Sequence, residues 1–125
     1  MKIGTIKKYL EHANPEVEVI FDFCRCFPTT VKSWRGIYAE PAIGWSVGRY
    51  SGGREVQPLS VKNFLKELNL ATSGNVYTGW KGGDFTYTDE DTLHVDNAGD
   101  CTHTEISYVE IGDYAIILHT QAKDD

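Results

Sequence analysis

At 125 residues the chain has the length of one domain and can bury a core without disulfide or metal staples. Hydrophobic residues are 41% and charged residues 24% of it, which argues against a disordered or membrane-embedded class. A net charge of −6 opposes counterion-driven binding to duplex nucleic acid, yet leaves room for one small anion held by a few local cations.

Met1 to Lys8 lacks the apolar centre and cleavage site of a signal peptide, so the protein is expected in the cytoplasm. Ile6, Tyr9, Leu10 and Ala13 fall on one helical face, with Thr5 as the predicted cap and Asn14-Pro15 as the stop. Val17, Val19, Phe21 and Phe23 are apolar at every second position, with Glu18 and Asp22 among the residues between, and predict a half-buried strand. Cys24, Cys26 and Cys101 are odd in number, so reduced thiols are expected rather than a disulfide framework. Phe27 to Thr30 reads as a turn, and Val31 to Tyr38 as a second strand paired with the first. Pro41 and several glycines make the next stretch irregular, with a partial strand from Ala42 to Tyr50 and a loop from Ser51 to Arg54.

Ser60 is the predicted cap of a second helix, in which Val61, Phe64, Leu65 and Leu68 form the apolar stripe and Ser73-Gly74 the stop. Strands follow at Val76 to Trp80, Phe85 to Thr88, Leu93 to Val95, Thr104 to Ile111 and Tyr114 to Thr120. Lys81 to Asp84 and Gly112-Asp113 supply tight turns. The predicted fold is α+β, a single domain over residues 1–125 with two helices and a mainly antiparallel β-sheet. The longest apolar run, Tyr114 to Leu118, is far short of a bilayer span, so no membrane partner is expected.

Two stretches interleave aromatic rings, glycines and charge: Ser33-Trp34-Arg35-Gly36-Ile37-Tyr38 and Thr78-Gly79-Trp80-Lys81-Gly82-Gly83-Asp84-Phe85-Thr86-Tyr87. A nucleotide-like ligand needs a flat surface for its base, where stacking contributes about 1–3 kcal/mol, and a fixed cation for its phosphates. Arg35 suits the phosphate because its planar fork bonds two oxygens at once. Trp34, Tyr38, Trp80, Phe85 and Tyr87 are candidate walls, although rings at strand positions also serve as plain core. Lys81, Gly82 and Asp84 sit at the hairpin tip, where backbone N–H groups can face an anion, but the spacing is not that of an NTPase phosphate loop. Asp91 belongs to an acidic run read mainly as a solvated loop, and the Asn97 amide can read a base edge or a ribose hydroxyl.

Cys24-x-Cys26 and Cys101-x-His103 are spaced too tightly for a structural zinc site, and no cofactor or metal is expected. No nucleophile with a matching base stands out, so no catalytic residue is assigned.

The run from Ser33 to Tyr38 followed by Glu40-Pro41-Ala42, the stretch Tyr77 to Phe85, and Asp91-Thr92-Leu93-His94-Val95-Asp96-Asn97 together resemble a group of small phage proteins. Among these the chain is most similar to the first Thoeris anti-defence family, whose members sequester the cyclic ADP-ribose signals of bacterial TIR-domain enzymes. The likeness runs from about Ser33 to Val109. It implies that Arg35 pairs with a phosphate, that the residues around Trp80 to Tyr87 shape the base and ribose pocket, and that Asn97 reads polar edges. It also implies a homo-oligomer, a dimer or a higher assembly such as a hexamer, and in some members a separate site for cyclic oligonucleotides. Leu93-His94-Val95 departs from the family pattern, as does Cys101-Thr102-His103. A signal-degrading enzyme using Asp91 or His94, and a protein-binding inhibitor with exposed aromatics, stand as alternatives.

Overall fold

A computed structural model describes residues 1–23, 26–33, 40–47, 50–51, 54–55, 57–78, 82–96 and 103–123. Among the described residues two helices, α1 (Ile3–Glu11) and α2 (Val61–Ala71), accompany ten strands. In chain order these are β1 (Glu18–Phe21), β2 (Cys26–Ser33), β3 (Pro41–Val47), β4 (Tyr50–Ser51), β5 (Arg54–Glu55), β6 (Tyr77–Thr78), β7 (Asp84–Phe85), β8 (His94–Val95), β9 (His103–Ile111) and β10 (Ala115–Lys123). Six strands form one sheet in the order β1-β10-β9-β8-β3-β2, and β4-β5 and β6-β7 are small antiparallel ladders. The large sheet is mixed: β1 runs parallel to β10 and β3 parallel to β8, while its other pairings are antiparallel. It curls until its edge strands β1 and β2 lie against each other. The fold is α+β, as expected.

Both helices lay their apolar stripes on one face of this sheet. Ile3, Ile6 and Leu10 of α1 and Val61, Phe64, Leu68 and Ala71 of α2 are buried against Val19, Phe21, Val31, Ile43, Leu93, Val95, Ile106, Val109, Ile116 and Leu118. Full burial of each such side chain contributes about 1.5–3 kcal/mol, which makes this layer the main source of stability. The Ser60 hydroxyl accepts from the Asn63 N–H at 3.2 Å and caps α2, as predicted.

The start of α1 differs from expectation. Lys2, not Thr5, is its N-cap position, and no side chain caps it. The Ile3 and Gly4 N–H groups instead donate to the Asp91 and Asp89 carbonyls, each at 2.9 Å. A distant loop thus satisfies donors that a capping hydroxyl otherwise takes. That close approach also uses Gly4, since a Cβ there would meet the Asp89 Cβ at 2.9 Å.

Two strand assignments also change. β1 does not pair with the following strand, because both its sides are occupied. Its ladder partner is β10, and on the other side Val19 donates to the Leu59 carbonyl while Val61 donates to that of Val17. The stretch from Phe27 to Thr30 is not a turn but part of β2, with a register irregularity between Pro28 and Val31. β2 is an edge strand, where a proline without an N–H costs little. The tight turn at Gly112-Asp113 forms as predicted, with Gly112 N–H donating to the Ala115 carbonyl at 3.1 Å. Cys26 is buried and in the thiol form, while Cys24 and Cys101 lie outside the described residues. Among the described residues no helix is long and apolar enough to cross a membrane.

Candidate functional site

The predicted site divides between described and undescribed residues. Trp34, Arg35, Tyr38, Trp80, Lys81 and Asn97 lie outside the described residues. Lys32 and Glu40, on either side of residues 34–39, and Asp96, just before Asn97, are described, and these three meet at β8 and its end.

β8 is two residues long and lies between β3 and β9, with His94 opposite Ala42 on one side and Glu105 on the other. Leu93 and Val95 enter the helix-covered core, so alternation sends His94 to the opposite face of the sheet. There His94 is only 6% exposed. Its Nε2 lies 3.1 Å from Glu40 Oε2, an oxygen that is itself shut off from solvent. The approach is out of hydrogen-bond alignment, and it is an ion pair only when His94 carries its second proton. Two residues on, Asp96 is held at three points. Its N–H donates to the Ile43 carbonyl at 3.0 Å, its carbonyl accepts the Trp45 indole N–H at 2.7 Å, and its carboxylate meets Lys32 Nζ at 2.6 Å. Lys32 stands just before the segment carrying Trp34, Arg35 and Tyr38, and Glu40 just after it.

The hairpin wall forms where the glycine pair predicts it. Tyr77 pairs with Phe85 and Thr78 with Asp84 across the β6-β7 ladder. Gly82 and Gly83 reverse the chain with φ of +97° and +85°, in the left-handed region that favours glycine. Gly82 and Asp84 are exposed and Phe85 is half-buried.

Tyr87 is buried. Its ring packs on that of Tyr77, with centroids 5.2 Å apart and planes tilted by 32°. Its hydroxyl donates to the Glu40 carbonyl at 3.3 Å. Burial, then the Asp91 carboxylate and the Tyr77 phenol, push its pKa up to about 12. The Tyr77 phenol is also raised, first by burial and then by Glu67. Tyr87 is therefore a strut between the hairpin and residue 40. Asp91 stands in the loop against α1, and its Oδ2 accepts the Thr88 N–H at 2.7 Å, closing the 88–91 turn.

Lys32, Glu40 and Asp96 were not among the residues expected to serve the site, and His94 was named only for the alternative enzyme. One sequence signal marks two of them: Lys32 and Glu40 bracket the segment from Ser33 to Ala39 with opposite charges. Nothing in the linear pattern pairs them with His94 and Asp96, because that pairing depends on the β2-β3-β8 register.

Two further polar groups lie elsewhere. A depression of about 310 Å³ is lined by residues that include Lys2, Lys7, Lys8, Asp89 and Glu90. Lys7 is taken up by Asp89 at 2.6 Å and Thr72 at 2.7 Å, and Lys2 by Glu90 at 2.7 Å, a contact that raises the Lys2 pKa. Near the β9-β10 register shift, His119 Nε2 meets Glu110 at 2.9 Å, and Asp22 accepts from the Thr120 N–H and hydroxyl at 3.0 and 2.8 Å. These bonds tie the end of β1 to β10. Among the described residues no three His, Cys, Asp or Glu side chains converge as metal ligands do. Comparison with protein-family models, curated proteins and solved structures found no match to the chain.

Proposed function

We propose that the chain is a phage immune-evasion protein that binds a cyclic ADP-ribose-type immune signal and sequesters it without cleaving it. The observation that carries this reading is the convergence of three flanks. Lys32 and Glu40 bracket the Arg35 segment and both contact β8-side residues, Asp96 leads directly into Asn97, and Tyr87 joins the glycine hairpin to Glu40. The segments next to these flanks carry an arginine, an amide and aromatic rings, residue types that supply phosphate pairing, edge reading and stacking. The net charge of −6 favours a compact anion met by local cations over a long polyanion. The resemblance of the same stretches to the first Thoeris anti-defence family supplies the ligand class. It extends the reading to cyclic oligonucleotide signals, a homo-oligomer and action in the host cytoplasm during infection.

The test is incubation with cyclic ADP-ribose isomers, followed by denaturation of the protein and analysis of the small molecule. The expected result is stoichiometric binding and recovery of intact ligand. Loss of ligand in excess of protein makes the chain a signal-degrading enzyme instead. No binding heat from cyclic ADP-ribose isomers or from cyclic di- and trinucleotides leaves the protein-binding inhibitor.

A further inference from the structure

We infer that the sheet face formed by β9, β10 and β1 on the side away from the helices is a docking surface for a cationic protein segment, in its simplest form a basic amphipathic helix. At the other end of the sheet the same face is covered: Phe27, Ala42 and His94 are buried there, outside the core packed by the helices. At the β9-β10-β1 end it stays open. Ile20, Ile117 and Glu110 lie side by side across the three strands, and in the next outward-facing row Tyr108 stands opposite His119. Tyr108 is 52% exposed and Ile20 and Ile117 are half-buried, where a solvated sheet face ordinarily turns polar residues to water. An apolar centre rimmed by charge is the usual mark of an interaction surface.

The charge of the rim selects the occupant. Glu18 and Asp22 stand at the two ends of β1 and Glu105 and Glu110 on β9, and alternation with the buried Val19, Phe21, Ile106 and Val109 turns all four to the open face. Lys123, at the end of β10, is the only lysine or arginine in these strands, and one charge on His119 does not balance four carboxylates. Asp22 is held by the Thr120 N–H and hydroxyl, and Glu110 by His119, so two of the carboxylates are fixed in place before a partner arrives. A second copy presenting the same face sets these carboxylates against their counterparts, which like charges oppose. Nucleic acid and anionic membrane surfaces are repelled for the same reason. A cationic segment instead places lysines or arginines over the rim and apolar residues over Ile20, Ile117 and Tyr108. A helix, about 10–12 Å across, covers three strands spaced by about 4.8 Å.

The test is calorimetry on the full chain with two synthetic amphipathic helices that share a leucine face and carry either lysines or glutamates on the other. The chain is expected to bind the lysine helix and not the glutamate helix, with an affinity that falls as salt rises. Tyr108→Ser is expected to weaken binding at least about tenfold, and Glu18→Lys about three- to tenfold. Glu11→Lys makes the same change in net charge at the exposed end of α1, on the helix side of the sheet, and is expected to stay within about twofold of the unaltered protein. Equal losses in Glu18→Lys and Glu11→Lys reduce the binding to a general attraction of opposite charges and overturn the inference. Unaltered binding in Tyr108→Ser, or no binding of the lysine helix, overturns it as well. Sedimentation of each protein alone tests the second copy: a dimer that Tyr108→Ser dissociates makes the face a contact between copies and overturns the inference too. If Tyr108→Ser does not melt cooperatively, the contrast between Glu18→Lys and Glu11→Lys decides alone. None of these outcomes depends on binding of a cyclic ADP-ribose isomer, so failure of the sequestering function and failure of this inference are separately visible.

Discussion

Replacing Tyr87 tests the strut between the glycine hairpin and residue 40, and two substitutions separate its ring from its hydroxyl. Tyr87→Phe keeps the buried ring and its packing on Tyr77, and deletes only the bond to the Glu40 carbonyl. At 3.3 Å that bond is long for an O–H donor, so its loss falls at the lower end of the usual range, about 0.5–1 kcal/mol. Tyr87→Ala also removes a ring that is 2% exposed, at a cost of about 3–5 kcal/mol. At this chain length one kcal/mol moves the melting temperature by roughly 4 °C. The expected losses are therefore about 2–4 °C for Tyr87→Phe and more than about 10 °C for Tyr87→Ala.

Alkaline pH supplies a second reading of the same variants. An unfolded tyrosine ionises near pH 10, whereas the folded Tyr87 phenol holds its proton to about 12. Its raised pKa contributes stability that is complete below about pH 10 and is lost as pH climbs through about 12. The unaltered protein is accordingly expected to lose more stability over this window than Tyr87→Phe does, and the difference spectrum of the pair to show one late-ionising phenolate. Chemical denaturation across the window measures the first effect and phenolate absorbance the second. Equal alkaline sensitivity in the two proteins, or a Tyr87→Ala cost no larger than that of Tyr87→Phe, refutes the strut.

Two further variants probe the elements that carry the site. Ser60→Ala removes the oxygen that accepts the Asn63 N–H and is expected to cost about 1 kcal/mol, read as a lower denaturation midpoint with an unchanged slope. Gly82→Ala is expected to cost about 1–2 kcal/mol for backbone conformation alone, because φ is +97° and no atom lies within 4 Å of the added Cβ. Gly82→Asn is expected to recover part of that loss in the same measurement, since asparagine tolerates the left-handed region.

Much of the fold was legible because the chemistry is local. The stripes Ile6-Leu10 and Val61-Phe64-Leu68 mark helices by their spacing, Ser60 marks a cap, and the pairs Gly82-Gly83 and Gly112-Asp113 mark turns. The misplaced features involve distant partners. Thr5 was the better cap by composition, yet the Asp89 and Asp91 carbonyls reach the first donors of α1 and allow the helix to begin at Ile3. β1 followed by β2 looked like a hairpin, yet β10 and the Leu59–Val61 segment occupy the sides of β1. In the site, Tyr87 was legible as an aromatic wall, but its use as a strut to Glu40 was not.

The sequence by itself determined the two apolar helix faces, the alternating strands, the glycine reversals and the inventory of rings and charges available to a ligand. These follow from side-chain periodicity and backbone preference, which act over a few residues. Tertiary structure alone decided that His94 and Asp96, spaced by one residue on a two-residue strand and its end, meet Glu40 and Lys32 at the two ends of the Arg35 segment. That outcome depends on the register of β3 against β8 and β2, and a shift of β8 by one residue would turn His94 into the core and Val95 out of it.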